Sequence, residues 1–410
     1  MAKPDFQPVL LGSDINVYGM ARSFYEEYGI VSLAIGATHL APTKHSKIVK
    51  VQVQPHFEKD EVFIKTLRQF MEQHQNNRKK FLLIACGDGY GLLLAKYKNE
   101  LSKFFECPSN DFKLYKQLED KPSFYRICEQ YRLPYPKTII VKPHDNLSKV
   151  VEQIPFPYPM ILKPGNSISY LKVSFSEKKK AFKVQSASEM RDLLQRIYDA
   201  NYPDEMIIQD FIPGTDSDMR VLNAYVDQNH KVRMMCLGHP LLEDPSPSAI
   251  GNYVAIMPES NPHIYRQLKS FLESIRYTGF ANFDLKYDSR DGKYKLFEIN
   301  LRQGRSSYYV TLNGYNLAKY VTEDRIYQLP FKATVYGDGD MLWLGIPKKL
   351  LLEQLPPKLK TQIIRKYIKT QKFGTTVFYT KDLSMRRYFL QLYAFYRYFN
   401  TYKEAVEEKI

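Results

Sequence analysis

Oxygen-bearing side chains recur at strand spacing in two neighbouring segments, FANFDLKYD (280–288) and KYKLFEIN (293–300), separated by SRDG. An Asp-Gly at the end of a four-residue link is hairpin chemistry. Folding the chain there sets Asp284 roughly opposite Glu298. Side chains alternate along a strand, so Asn282, Asp284 and Lys286 share one face, and Glu298 and Asn300 share theirs. If that register holds, two carboxylates and an amide converge on one side of the sheet, while Phe283, Leu285, Phe297 and Ile299 pack on the other. Facing carboxylates repel unless a cation lies between them. An all-oxygen set with a carboxamide suits Mg2+, a hard ion that shares its shell with substrate phosphates. A lone carboxylate here would be an ordinary solvated strand residue. Three oxygen donors followed at once by Arg302, Gly304 and Arg305 favour the metal.

Two lysines add to this. Lys163 closes the apolar run of MILKPG, where its ammonium can point into a cleft and pair with phosphate as a compact charge. Lys121, in LEDKPSFY, can do the same from a helix start. QDFIPG (209–214) sets backbone groups and two apolar side chains at a strand end, which suits either a slot for a flat base or a plain strand exit. Other chemistries find little support. There is no HExxH, GxSxG, GxGxxG or GxxxxGK[ST], and no cysteine lies in a catalytic motif.

The elements that must carry these residues can be read from periodicity. PVLLG (8–12), IVSLAIG and FLLIACG (81–87) are apolar runs alternating with helical patterns, such as the one ending at Gly29, and predict a small parallel α/β domain over roughly the first 110 residues. YPMILKP and MIIQDFIPG read as further strands. SASEMRDLLQRIYDAN reads as an amphipathic helix capped by Ser186 or Ser188, and the segments RVLNAYVD and KVRMMCLG as a hairpin. Mixed strands and helices of this kind predict α+β lobes with antiparallel sheets. The polar stretch 165–180 is a candidate lid. Beyond residue 340 the texture turns helical, basic and Tyr-rich.

A chain of 410 residues, 44% hydrophobic and 25% charged, is expected to form two or three globular lobes. MAKPDFQPVLLGSD has no apolar core of a secretion signal, and no run is long enough to span a bilayer. Cys86, Cys107, Cys128 and Cys236 are scattered, which argues against a disulfide framework or zinc site and for a cytoplasmic protein. The formal charge is +15, with 14 Lys and Arg against 5 Asp and Glu in residues 341–410. This surplus fits a solvated basic face or an anionic partner. Taken alone it would describe a nucleic-acid- or membrane-surface-binding protein. Segment 380–403 can dock on anionic lipid or stack on bases, or else pack its aromatics on the body of the molecule, the reading we favour.

In this order, the DK pair at 120–121, the strand ending in Lys163, QDFIPG, FDLKYD and FEINLRQGR resemble the ATP-grasp superfamily of carboxylate–amine ligases over most of residues 1–330. LGSDINVYGMARSF, DFIPGTDSDMRVLNAYVD, CLGHPLLEDPSPSAIGNYV and FEINLRQGRSSYYVTLNGYN are most similar to the D-aspartate ligases of Gram-positive cell-wall synthesis. The resemblance implies a pre-ATP-grasp α/β domain (1–112), a two-lobed ATP-grasp domain of α+β type (113–335) and a helical C-terminal extension (336–410). It implies ATP and two Mg2+ ions. Lys121 and Lys163 match the lysines that contact phosphates. Gln209, Asp210, Phe211 and Ile212 match the hinge that holds adenine, and Asp216 or Asp218 the acid near the ribose. Asp284, Glu298 and Asn300 match the metal ligands. Arg302 and Arg305 match the basic positions that meet the donor carboxylate and acyl phosphate. Position 209 departs from the pattern, being Gln where many relatives carry an acid, and only Gly165 follows Lys163. The implied reaction joins the side-chain carboxylate of D-aspartate to the lysine ε-amine of an anionic UDP-linked muramyl pentapeptide; a different amino acid or peptide acceptor is the alternative. No nucleic-acid partner is expected.

Overall fold

The computed structural model describes residues 5–246, 249 and 251–407. The chain folds into two compact units, neither continuous in sequence: residues 1–115, 216–283 and 300–410 form the first, and 116–215 and 284–299 the second.

The first unit opens with a five-stranded parallel sheet: β1 (Phe6–Leu11), β2 (Ser32–Gly36), β3 (Val49–Val53), β4 (Lys80–Ala85) and β5 (Phe105–Glu106), in the order β3-β2-β1-β4-β5. β1 and β4 are near-continuous apolar runs because helices cover both faces of such a sheet. Val9, Leu11, Phe63, Leu67, Phe81 and Leu83 are buried together in its core. The helix Ile15–Tyr28 starts where Asp14 accepts the amides of Asn16 and Val17, and stops at Gly29, whose φ of 65° is the left-handed conformation glycine adopts freely. The strand order reverses between β1 and β4. Their carboxyl ends, at residues 12–14 and 86–88, therefore form the crevice where sheets of this kind bind ligands.

The second unit is built on an antiparallel sheet of β6 (Thr138–Val141), β7 (Met160–Pro164), β8 (Phe182–Val184) and β9 (Met206–Asp210), ordered β6-β9-β7-β8. The helix Ala187–Asp199 is capped by Ser186 and contributes Met190, Leu193, Leu194 and Ile197 to a core with Met160, Leu162 and Ile208. The short helix Ser167–Lys172 lies within the polar stretch that reads as a lid.

The larger sheet runs β14-β13-β10-β11-β12-β16-β17, with β15 beside β11. Its strands are β10 (Met219–Val226), β11 (Val232–Glu243), β12 (Tyr253–Glu259), β13 (Gly279–Asp288), β14 (Lys293–Asn300), β15 (Val335–Tyr336), β16 (Leu342–Leu344) and β17 (Phe373–Gly374). β10, β11 and β12 are antiparallel, and they carry the hairpin read from RVLNAYVD and KVRMMCLG. The chain passes from the first unit to the second within β13 and returns at the end of β14. The C-terminal region is helical, with its last helix at Met385–Glu407, and it also supplies three short strands to this sheet. Those strands are two or three residues long, too short for a period-2 pattern to register. Leu241, Val254, Leu350, Leu351, Ile363 and Tyr367 form the core beneath them, joined by Tyr402 from the last helix. Among the described residues, no helix is long and apolar enough to cross a membrane.

Candidate active site

In the second unit, Lys163 is half-buried on β7 and points its ammonium across the sheet. Nζ donates to the Tyr125 hydroxyl at 3.1 Å and to Gln209 Oε1 at 2.9 Å. The bond to Gln209 follows from register: Ile161 pairs with Gln209 and Lys163 with Ile207, so Lys163 and Gln209 are diagonal neighbours on one face. Gln209 Nε2 donates in turn to Thr138 Oγ1 at 2.9 Å, and Tyr125 donates to the Phe297 carbonyl at 3.0 Å. Burial lowers the pKa of Lys163 from 10.5 to about 8, against the opposing pull of the Glu298 charge. The result is a cation fixed in place by neutral groups with one carboxylate nearby, an arrangement that favours a phosphate.

Lys121 opens the helix Lys121–Gln130, whose cap is Asp120 accepting the Ser123 amide, and its charge reaches the Tyr125 hydroxyl. After Lys163 the chain must turn tightly: a Cβ at Gly165 would lie 2.8 Å from the Glu205 carbonyl oxygen, the atom that accepts the Gly165 amide. At the hinge, Asp210 makes a two-pronged pair with Arg290 at 3.1 and 2.7 Å, and Arg290 also binds Asp288. Asp210 is thus committed to an ion pair. Phe211 lies under two cations, with Lys183 Nζ 4.3 Å and Lys286 Nζ 5.7 Å from its ring centre, and Ile212 is buried. Asp284 and Glu298 are each half-buried here.

In the first unit, Asn300 Nδ2 donates to Asn282 Oδ1 at 3.1 Å. Arg302 makes a two-pronged pair with Asp88 at 2.8 Å on both prongs and also donates to Asn300 Oδ1 at 3.4 Å. Arg305 is exposed. Both arginines act on Asp14. Burial raises the Asp14 pKa, while the Val17 and Asn16 amides and the two guanidinium charges hold it down. Gln303 Nε2 donates to Cys86 Sγ at 3.0 Å, and the Cys86 carbonyl accepts from Asn16 Nδ2 at 2.9 Å. The arginines therefore stand at the carboxyl ends of β1 and β4. Gly304 donates its amide to Asn223 Oδ1 at 3.3 Å, and a Cβ there would meet Asn282 Nδ2 at 2.9 Å. Asn282 Nδ2 is a buried donor without a hydrogen-bond partner, which suits an oxyanion beside Gly304. Asp216 and Asp218 lie in the turn Asp216–Asp218, where Asp216 Oδ2 accepts the Glu243 amide at 3.0 Å.

In the second unit Asp284 and Glu298 bring carboxylate oxygens, the donor chemistry that Mg2+ takes. Among the described residues no three His, Cys, Asp or Glu side chains cluster. All four cysteines are buried and unpaired. Asp14, Asp88, Asn223, Tyr125 and Thr138 escaped the sequence reading. Asp14 and Asp88 carried a signal, each an acid just after an apolar strand at a helix start.

No protein-family model matches the chain. It is 56% identical, over 99% of its own length and 98% of the relative's, to the D-aspartate ligase of Enterococcus faecium (strain Aus0004). Solved structures share its fold at low identity. The L-amino acid ligase from Bacillus licheniformis has a TM-score of 0.56 at 14% identity, covering 79% of this chain and 75% of that one. The N5-carboxyaminoimidazole synthetase from Staphylococcus aureus, solved with ADP, gives 0.58 at 12%, covering 85% and 82%. The biotin carboxylase domain of the Hydrogenobacter thermophilus 2-oxoglutarate carboxylase, solved with MgADP and bicarbonate, gives 0.61 at 11%, covering 82% and 73%.

Proposed function

Because the chain belongs to the D-aspartate ligase family and has the ATP-grasp fold, we propose that it joins the side-chain carboxylate of D-aspartate to the lysine ε-amine of a UDP-linked muramyl pentapeptide, with release of ADP and phosphate. In this reading residues 1–112 are the pre-ATP-grasp domain, 113–335 the ATP-grasp domain and 336–410 the extension, and the enzyme works in the cytoplasm, where ATP is at hand.

The observation that carries the reading is Arg302 in a two-pronged pair with Asp88 at the carboxyl end of β4, in the crevice where Asp14 ends β1 and feels the charges of Arg302 and Arg305. Two guanidinium groups near this crevice suit a donor with two carboxylates, and Asp14 and Asp88 offer acids for its ammonium. Lys121 and Lys163 take the phosphates. Gln209, Asp210, Phe211 and Ile212 flank the adenine through backbone groups and the apolar side chains, since Asp210 is held by Arg290. The turn Asp216–Asp218 takes the ribose. Asp284, Glu298 and Asn300 would hold Mg2+, two ions in this reading, which would neutralise charge on the phosphates as the γ-phosphoryl group leaves.

A carboxylate is a poor electrophile, and phosphorylation gives it a leaving group. Arg302 and Arg305 orient that carboxylate and, with the amide of Asn282, steady the oxyanion that forms when the amine attacks. The segment 165–180 is the lid that keeps water from the acyl phosphate.

The test supplies ATP, Mg2+, D- and L-amino acids and UDP-linked muramyl pentapeptide, and measures ADP release and product mass. D-aspartate is expected to give ADP and the ligated product, and Glu298→Gln to give neither. Turnover by Glu298→Gln at the parent rate would remove the metal assignment. A preference for L-aspartate or glycine would remove the donor assignment and leave the ligase standing.

A further inference from the structure

The last helix, Met385–Glu407, has two faces of opposite character. Its inner stripe, at residues 387, 391, 395, 398 and 402, follows helical spacing and is tied down along its length. Arg387 donates to the carbonyls of Pro42 and Lys44, Gln391 to that of Ala41, Tyr398 to Asp244 and Tyr402 to the Glu243 carbonyl.

The outer stripe repeats at the same spacing and carries Met385, Phe389, Tyr393 and Tyr396, which are 72, 58, 69 and 56% exposed. Of the thirteen large hydrophobic residues exposed among the described residues, five are on this helix once Tyr388 is counted. Scattered exposed apolar residues are ordinary, but a row of them on one helix face is not. Arg386 and Arg397 are exposed along the row, and no acidic residue occurs between residues 383 and 402. The loop gripped by Arg387 and Gln391 adds exposed Leu40 and Lys44 beside the helix.

We propose that this outer face is a docking surface for an anionic lipid bilayer, on which the helix lies flat. Charge complementarity decides in favour of lipid. An interfacial helix needs apolar side chains that enter the headgroup boundary, cations that meet lipid phosphates and no acids to be repelled. Tyrosine suits that boundary because its ring is apolar and its hydroxyl stays wet. The inner stripe fixes the helix to the body, so the surface is preformed and membrane contact costs little ordering.

Full-length protein is sedimented with phosphatidylglycerol vesicles and, separately, with phosphatidylcholine vesicles. It is expected to partition onto the first, to release as salt rises, and to remain in solution with the second. Phe389→Glu/Tyr393→Glu is expected to weaken binding roughly ten-fold or more, with turnover on soluble substrates unchanged as the check on folding. Arg386→Glu/Arg397→Glu is expected to weaken it by at least as much, since each cation near an anionic surface contributes on the order of 1 kcal/mol. Equal partition onto both vesicle types, or parent-like binding by either double variant, would overturn the proposal. So would a concentration-dependent dimer in lipid-free buffer that Phe389→Glu/Tyr393→Glu abolishes, because the face would then be an interface between copies of this chain.

Discussion

At Lys163 two effects oppose each other, and their balance sets a pH range. Burial favours the neutral amine and the Glu298 charge favours the ammonium; burial is the larger, and the pKa falls from 10.5 to about 8. Below pH 8 the free enzyme carries the cation. Between pH 8 and 10.5 the folded protein has lost the proton that the unfolded chain still holds. Stability contributed by this group is therefore lowest below pH 8 and recovers as pH rises through that window. Phosphate binding runs the other way, because it needs the ammonium. Apparent affinity for ATP is expected to be flat from pH 6.5 to 7.5 and to weaken by up to about ten-fold per pH unit above 8. Lys163→Arg, which cannot deprotonate in this range, is expected to bind ATP more weakly at pH 7 but without the decline above 8. Titration calorimetry with ATP across pH 6.5–9.5 measures both. An affinity for the parent protein unchanged at pH 9.5 would show that Lys163 does not meet the phosphates.

At the scale of the element, the turn after β14 depends on one missing side chain. Gly304 donates to Asn223 and stands so close to Asn282 that an added Cβ would lie 2.9 Å from Nδ2 and 3.0 Å from Cγ. Asn282 also accepts from Asn300, and Arg302 sits two residues along the chain from Asn300. Gly304→Ala must therefore push Asn282 aside and disturb the bond to Asn300. A destabilisation of about 1–3 kcal/mol is expected, as for other overpacked sites. The larger effect falls on turnover, with kcat down at least roughly ten-fold, because misplaced groups near reacting atoms are punished more than stability is. Thermal melting with steady-state kinetics separates the two, and a stable variant with parent kcat would show that the Asn282–Asn300 bond has no part in the chemistry.

Much of this hairpin could be read beforehand. FANFDLKYD alternates from Asn282 onward and SRDG punctuates the pair, so the two strands and the turn follow from pattern. Leu296 and Phe297 break the alternation of KYKLFEIN, and Leu296 is the one buried, where period 2 puts Phe297. Lys163 was visible as a charge ending an apolar run. The partners were not visible. Nothing near Arg302 in sequence announces Asp88, 214 residues away, and nothing near Gln209 announces Thr138. Asp210 looked like part of a base-binding slot, and only folding brings Arg290 to claim it. The three short strands of the C-terminal region failed to register for a related reason: they take their pairing from the sheet they join.

For the molecule as a whole, the basic Tyr-rich extension is tied to the N-terminal sheet domain of the first unit around a buried ion pair of its own, whose two members bond to residues 18–47. Arg387 and Asp382 are both fully buried, with Nε 3.1 Å from the carboxylate. The Arg387 guanidinium lies 4.1 Å from the Tyr18 ring centre, and Asp382 accepts from the Tyr18 hydroxyl, Ser46 Oγ and the Lys47 amide. The cluster thus joins residues more than 330 positions apart in the chain. A buried pair is a weak source of net stability but costly to break from one side, because the surviving charge is left without its counter-ion. Arg387→Met is accordingly expected to cost about 3–5 kcal/mol. In Arg387→Met/Asp382→Asn no such charge remains. The double variant should be more stable than Arg387→Met alone, with a coupling well above the roughly 0.5 kcal/mol expected of independent sites. Urea unfolding of the parent, both single variants and the double variant closes the cycle. Additive losses would mean that Arg387 acts through its carbonyl bonds to Pro42 and Lys44 and its stacking on Tyr18, and that the charge of Asp382 is carried by its neutral donors alone.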